Sequence, residues 1–144
     1  MSSQDSPLVK PEVVFTEDLL NEIATGRLRI PRFQRPFVWK PSNMIELFDS
    51  IYKGYPIGGL LFWEPVEAME SLGMIGPLKI PKIVDQPLTY VLDGQQRLTT
   101  LYVGLRLPED LPIISSQDGW QWRIWFDLYK EEFTHVKKTT LSRH

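Results

Sequence analysis

The sequence contains no cysteine and only two histidines, His135 and His144, both near its end. Without cysteine the chain can form neither a disulfide nor a thiolate-ligated metal site. Two tail histidines without metal-ligand spacing around them predict neither a zinc centre nor a histidine general base. The tripeptide Gly-Lys-Ser or Gly-Lys-Thr is also missing, which excludes a P-loop enzyme. A phosphate site, if present, is therefore of another kind.

Long apolar runs are missing as well. The longest stretch, residues 57–63, falls far short of the roughly 20 residues that cross a bilayer as a helix, and it is interpreted as a buried strand. The first residues, Met1 to Asp5, lack the basic and then apolar pattern of a secretory signal, so a cytoplasmic protein is expected. A net charge of −2 gives no general attraction to nucleic acid or to anionic membranes. Phosphate binding, if present, must be local.

Proline, glycine and hydrophobic periodicity divide the 144 residues into one domain with a predicted order of elements. A loose lead-in at 1–12 and a charged tail at 129–144 are expected to flank a domain at 13–128. The predicted elements are a helix with Thr16 as N-cap and Gly26 just beyond its end, a half-buried strand at 27–30, a helix from Pro41 to Gly54, the strand at 57–63, an irregular surface segment at 64–87, a strand at 89–92, a helix at 95–107 and a strand at 120–128.

The run Asp93-Gly94-Gln95-Gln96-Arg97 lies at a predicted turn from strand to helix. Glycine permits a sharp turn, and the helix behind it presents its first N–H groups outward, which favours an anion. Arg97 can add a forked charged contact, and Asp93 can hold magnesium or polarise a water. The alternative is a purely structural turn, which is the commoner meaning of such a glycine.

A second candidate is the basic and aromatic segment at 27–40. It contains five cations and no acid, interleaved with three aromatic residues, and such a mixture suits phosphate contact and base stacking. The alternative is a solvated strand face with its aromatic side chains turned into the core. The cations and aromatics are Arg27, Arg29, Arg32, Arg35, Lys40, Phe33, Phe37 and Trp39.

Three blocks in order resemble the DUF262 family of GmrSD-like, modification-dependent restriction proteins. They are IPRFQRPFVW at 30–39, SIYKGYPIG at 50–58 and DGQQRLTTL at 93–101, and the resemblance extends from about residue 13 to 107. It implies an α+β fold of the ParB/sulfiredoxin type, a small mixed sheet with packed helices. Phe33 stands where many members have tyrosine, which keeps stacking but loses a hydroxyl. The chain is shorter than the usual family region, so the domain is expected to be truncated.

The resemblance also implies a nucleoside triphosphate site, for GTP, ATP or CTP with magnesium. It assigns nucleotide binding to Gly94, Gln95, Gln96, Arg97, Gln34 and Arg35. It assigns hydrolysis to Asp93, Gln95 and Gln96, with Asp93 the candidate ligand for magnesium. Family members act against foreign or modified DNA, usually with a separate C-terminal HNH-type (DUF1524) nuclease.

Two hypotheses follow from this resemblance. The first is a regulatory domain that binds and hydrolyses a nucleotide to control a nuclease encoded elsewhere. The alternative is a non-catalytic module that binds DNA or senses its modification through Arg32, Phe33, Gln34, Arg35 and Trp39. Asn21 and Asn43 are the only asparagines, so no His-Asn-His nuclease centre is expected in this chain.

Overall fold

The computed structural model describes residues 10–83, 87–108 and 119–135. Within these ranges lie three α-helices, one 3-10 helix and seven short strands. The helices are α1 (Thr16–Ala24), α2 (Pro41–Tyr52), α3 (Gln95–Arg106) and the 3-10 helix Gly119–Trp122. The strands are β1 (Leu28–Arg29), β2 (Leu61–Trp63), β3 (Met74–Ile75), β4 (Leu78–Lys79), β5 (Thr89–Asp93), β6 (Trp125–Asp127) and β7 (Glu132–Thr134). This arrangement confirms the predicted α+β class.

The main sheet has three strands in the order β1-β5-β2. The central strand β5 runs parallel to β1 and antiparallel to β2, with Leu28 opposite Thr89 and Leu61 opposite Asp93. Residues that follow β1, precede β2 and follow β5 therefore meet at one edge of the sheet. The sequence segments 31–39, 57–60 and 93–97 are brought together in this way.

The core is formed by side chains of the three helices, of β1 and β5, of the β3–β4 hairpin and of the 3-10 helix. The periodic apolar positions predicted for α1 and α2 supply buried side chains, and α3 is buried along most of its length. The buried core residues are Leu20, Ile23, Leu28, Ile30, Met44, Leu47, Phe48, Ile75, Leu78, Ile80, Val91, Leu98, Leu101, Tyr102, Val103 and Trp122. Because the side chains of this core are closely packed, they hold the start of α3 in a fixed position relative to the sheet edge.

Helix α1 begins one residue earlier than predicted. Thr16 is its first helical residue, Phe15 is the N-cap, and no side chain caps the N-terminus. Gly26 follows the C-cap Thr25 with φ of 83°, as expected for a glycine that ends a helix. Glu17, in the first turn, accepts a hydrogen bond from Arg106 at the end of α3, so the two helices are tied together.

The predicted strand at 57–63 is wrong in length and burial. Only Leu61–Trp63 is a strand, and Leu61 and Trp63 are exposed. The two glycines that precede it, Gly58 and Gly59, form a loop instead, with Gly58 at φ of 86°. Local composition suggested burial, but β2 is an outer strand of the sheet and one of its faces meets solvent.

The segment at 64–87 is more than a surface excursion. It contains the β3–β4 hairpin, which buries Ile75 and Leu78, and Ile80 is buried just after it. Pro and Gly were interpreted as signs of an irregular loop, yet Gly76 lies within this hairpin turn. The apolar run near Ile80 extends to Val84, which lies outside the described residues.

The predicted strand at 120–128 is also wrong in part. It begins as the 3-10 helix, and only Trp125–Asp127 is a strand, paired with Glu132–Thr134. Phe126 and Phe133 face each other across this hairpin, and Tyr52 of α2 packs against both rings. Strand pairing therefore continues past residue 128 and covers the end of α2.

His135, at the end of β7, is the titratable group most affected by burial in this hairpin region. Burial lowers its pKa below 6.5, and a hydrogen bond between Nε2 and the carbonyl of Gln121, 2.7 Å long, partly opposes the shift. The unfolded chain takes up this proton near pH 6.5 while the folded chain resists it. The neutral ring therefore contributes its stability above pH 6.5, and that contribution declines as pH falls towards the lowered pKa.

We expect His135→Gln to remove part of the loss of stability below pH 6.5. Because the ring is only partly buried, the effect on the free energy of unfolding should stay under about 1 kcal/mol. Urea unfolding of wild type and variant at pH 7.5 and pH 5.0 measures it. An identical pH dependence in the two proteins would show that His135 contributes nothing.

Candidate functional site: the turn from β5 to α3

The turn that joins β5 to α3 is built around Gly94. This residue is the N-cap of α3 with φ of 91°, and no side chain caps the helix. A Cβ at this position would overlap a methyl group of Leu60, so glycine is needed both for the backbone and for the space. The first helical bond runs from Leu98 N–H to the carbonyl of Gly94. The preceding N–H groups have no acceptor among the described residues, so they are available to donate to an anion.

Asp93 ends β5 and stands immediately before the turn. Its side chain is exposed, and within the described ranges its carboxylate has no hydrogen-bond or ion-pair partner. The described residues contain no group of three or more acidic, histidine or cysteine side chains placed to hold a metal. Magnesium at Asp93 would therefore have to take its other ligands from a bound phosphate and from water, as it usually does.

Arg97 projects back from the first turn of α3 towards the loop before β2. Its Nη1 donates a 2.6 Å hydrogen bond to the carbonyl of Ile57. Its Nη2 lies 3.3 Å from the place where a Cβ on Gly94 would stand. No carboxylate pairs with this half-buried guanidinium in the part of the chain that the structure describes. An uncompensated positive charge therefore lies beside the positive end of α3.

The three predicted glutamines join α3 and β5 to the segment that follows β1. The Gln96 amide oxygen accepts from the N–H groups of Val38 and Trp39, and its nitrogen donates to the carbonyl of Pro36. Gln95 is buried and donates to the carbonyl of Arg35.

Gln34 completes this network from the other side. Its amide nitrogen donates to the carbonyls of Val91 and Leu92 near the end of β5. The nucleotide-binding residues predicted in the two sequence blocks are therefore in contact, and the structure brings Gln34, Arg35, Gln95 and Gln96 together. The amides are engaged with backbone groups of the chain.

The residues predicted to contact DNA do not share one face. Phe33 is 68% exposed, Arg35 is exposed, and Arg32 makes a long 3.7 Å ion pair with Glu70 at the surface. Gln34 turns towards β5, and Trp39 packs against the core. The exposed surface formed by Arg32, Phe33 and Arg35 is called the basic arm below.

Two other arginines of the basic segment have structural partners. Arg29 is only 5% exposed, and it donates to the side chain of Ser71 and to the carbonyls of Gly26, Pro81 and Leu72. Arg27 pairs with Glu22 on the surface. Alternation along 27–30 suggested a half-buried strand, but both residues of β1 are buried.

Sequence reasoning missed the contribution of Ile57 and Gly58 to the site. Both were counted in an apolar run and in a sequence block without a role, yet they contact the Arg97 side chain. One sequence signal could have revealed this contribution. Glycine stands in a segment that is otherwise typical of a strand, and such a glycine often marks the close approach of another group.

Comparison with known proteins identifies a relative and a family. An uncharacterized protein, MJ0686 of Methanocaldococcus jannaschii, is 35% identical over 96 residues, which is 63% of this chain but 17% of that protein. The chain thus spans about a sixth of that relative's length. In the described ranges no helix is long and apolar enough to cross a membrane. Residues 16–142 match the family described as "GmrSD restriction endonuclease, N-terminal domain", and the chain therefore belongs to that family.

Proposed function

We propose that this chain binds a nucleoside triphosphate at the turn from β5 to α3 and hydrolyses it, and that turnover regulates a DNA-restriction activity. The observation that carries the proposal is Arg97, a half-buried guanidinium without a carboxylate partner in the described ranges, placed beside the N-terminus of α3. A phosphate group would neutralise this charge, and its oxygens would accept hydrogen bonds from the free N–H groups.

The residues around the turn have distinct roles in this proposal. Gly94 lets the phosphates approach the backbone, and Arg97 binds them by charge and hydrogen bonds. Asp93 holds magnesium or polarises the attacking water, since its carboxylate is exposed and has no partner among the described groups. GTP, ATP and CTP are all candidates, because the roles proposed for these residues concern the phosphates and not the base.

Gln34, Gln95 and Gln96 support the site by fixing what surrounds it. Their hydrogen bonds place Arg35 next to the start of α3, where its exposed side chain can add a second positive charge to the phosphates. The scaffold that holds these parts together is proposed to be of the ParB/sulfiredoxin type. A nuclease centre would be supplied by an HNH-type domain or subunit outside this chain.

A second candidate function is DNA binding through the basic arm. The exposed ring of Phe33, flanked by two arginines, favours it, since a free aromatic face and nearby cations suit a base and its phosphates. DNA binding that weakens with salt, persists without nucleotide and is lost in Phe33→Ala together with Arg35→Ala would support this candidate alone.

Binding of nucleotide to this chain is the direct test of the proposal. Calorimetric titration of the chain with ATP, GTP and CTP, each with magnesium, should detect binding of at least one. Arg97→Ala should weaken it by about ten- to a hundredfold, because a charge-assisted hydrogen bond is worth roughly 1.5–3 kcal/mol.

Arg106→Ala is the matched control for this measurement. Arg106 lies on the same helix but at its other end, where it pairs with Glu17 and Asn21. The control should bind nucleotide like wild type. If wild type binds none of the three nucleotides, or if Arg97→Ala binds as tightly as wild type, the proposed site is wrong.

A further inference from the structure

The block Ser50 to Gly58 was singled out by its sequence, and the proposed function gives it no role. In the structure the end of this block, the loop formed by Ile57 and Gly58, lies against the guanidinium of Arg97. We propose that Ile57 and Gly58 are positioning residues that set the direction of Arg97 towards the phosphates of the nucleotide. This inference rests on the proposed function and adds two residues to its site.

The contact with Ile57 holds the guanidinium of Arg97 at one end. Nη1 of Arg97 donates to the carbonyl of Ile57 over 2.6 Å, which holds one end of the guanidinium. The other end, Nη2, remains on the side of Gly94 and of the free N–H groups of α3. Because the guanidinium is a rigid planar fork, fixing one nitrogen also fixes the directions in which the others donate.

Gly58 leaves the space that the guanidinium of Arg97 occupies. A Cβ at this position would lie 2.5 Å from Nη1 of Arg97 and 3.4 Å from Cζ. These atoms form the far end of a flexible side chain, so the guanidinium would be displaced while the fold could remain. Gly58 therefore acts on the orientation of Arg97 more than on the packing of the core.

Two other glycines provide matched controls for Gly58→Ala. Gly54 has φ of 74° but nothing within 4 Å of its Cβ position, so Gly54→Ala reproduces the backbone strain without the contact. Gly59 is the next residue along the chain and also has open space there, so Gly59→Ala adds a methyl group nearby without a positive φ. Neither control should move Arg97.

The experiment has one readout that needs no nucleotide. The Nε–H signal of Arg97 in a ¹H–¹⁵N NMR spectrum is assigned from its loss in Arg97→Ala. It should shift in Gly58→Ala and stay in place in both controls, while the remaining spectrum of Gly58→Ala stays that of a folded protein. An unchanged Arg97 signal in Gly58→Ala would overturn the inference whatever the nucleotide results.

The second readout is the affinity for ATP, GTP and CTP with magnesium. Gly58→Ala should weaken binding by about tenfold or more, as expected when a charge-assisted contact is misdirected, and the two controls should bind as wild type does. A shifted Arg97 signal with unchanged affinity would overturn the role towards phosphate. If wild type itself binds no nucleotide, the proposed function fails and the phosphate role fails with it, while the NMR signal still decides whether Gly58 holds Arg97.

Discussion

Arg29→Met is expected to lower the free energy of unfolding by about 3–5 kcal/mol, the largest loss of stability that we predict. The guanidinium is buried and donates to the carbonyls of Gly26, Pro81 and Leu72. Methionine preserves length and apolar contact but cannot donate, and each carbonyl left without a partner costs roughly 1–3 kcal/mol. These carbonyls belong to three separate parts of the chain, so their connections to β1 would be weakened together.

Urea unfolding followed by circular dichroism measures this loss as a lower midpoint. Arg27→Met is the matched control, since Arg27 is two residues away and makes only a surface ion pair with Glu22. That pair should contribute less than about 1 kcal/mol. Equal midpoints for the two variants would mean that the buried hydrogen bonds of Arg29 add nothing beyond those of a surface arginine.

Asp93→Asn is expected to slow hydrolysis by a factor of at least about a hundred while the nucleotide still binds. The carboxylate is exposed and has no partner in the described residues, so its loss should change stability by less than about 0.5 kcal/mol. Asparagine has nearly the same shape, but it is a poor ligand for magnesium and cannot take up a proton from water. We expect the turnover number to fall by a factor of about 10² to 10⁴, the range typical of a lost general base.

Phosphate release at saturating nucleotide measures hydrolysis, and calorimetry measures binding for the same protein. Glu64→Gln is the control, because Glu64 is an exposed carboxylate at the end of β2, where it accepts a hydrogen bond from Thr89. It should hydrolyse nucleotide like wild type. Equal rates for wild type and Asp93→Asn would remove Asp93 from the mechanism, and no phosphate release by wild type would leave a domain that binds nucleotide without hydrolysing it.

The order of the helices and the position of the turn at Gly94 could be predicted from the sequence, since both depend on local signals. Apolar residues at helical spacing predict α2, and a proline and a glycine mark its two ends. Thr89-Tyr90-Val91-Leu92 followed by Asp93-Gly94 predicts a strand that turns into a helix, and β5 and α3 have these positions. Such signals involve residues that are neighbours along the chain.

The parts that could not be predicted depend on contacts between distant segments. Arg29 is charged and lies in a basic segment, so its sequence context suggested a surface role, and only the carbonyls of residues about 40 to 50 positions away explain its burial. Likewise, the amide of Gln96 suggests a ligand contact when only the sequence is known. In the structure this amide is bonded to the backbone of the segment at 36–39. The contacts that bring these segments together are the pairing of β1 with β5 and the backbone bonds between residues 30–32 and 70–72, and no local pattern encodes them.

The hydrogen bonds of Gln34, Gln95 and Gln96 make the assembly of the site insensitive to added salt. The junction between the basic arm and α3 is made by neutral amides and backbone groups, which carry no net charge and do not titrate in the physiological range. Added salt screens exposed charges but leaves such hydrogen bonds largely unaffected. An ionic-strength series on this protein should therefore report the loss of a charged ligand while the surfaces that bind it remain assembled.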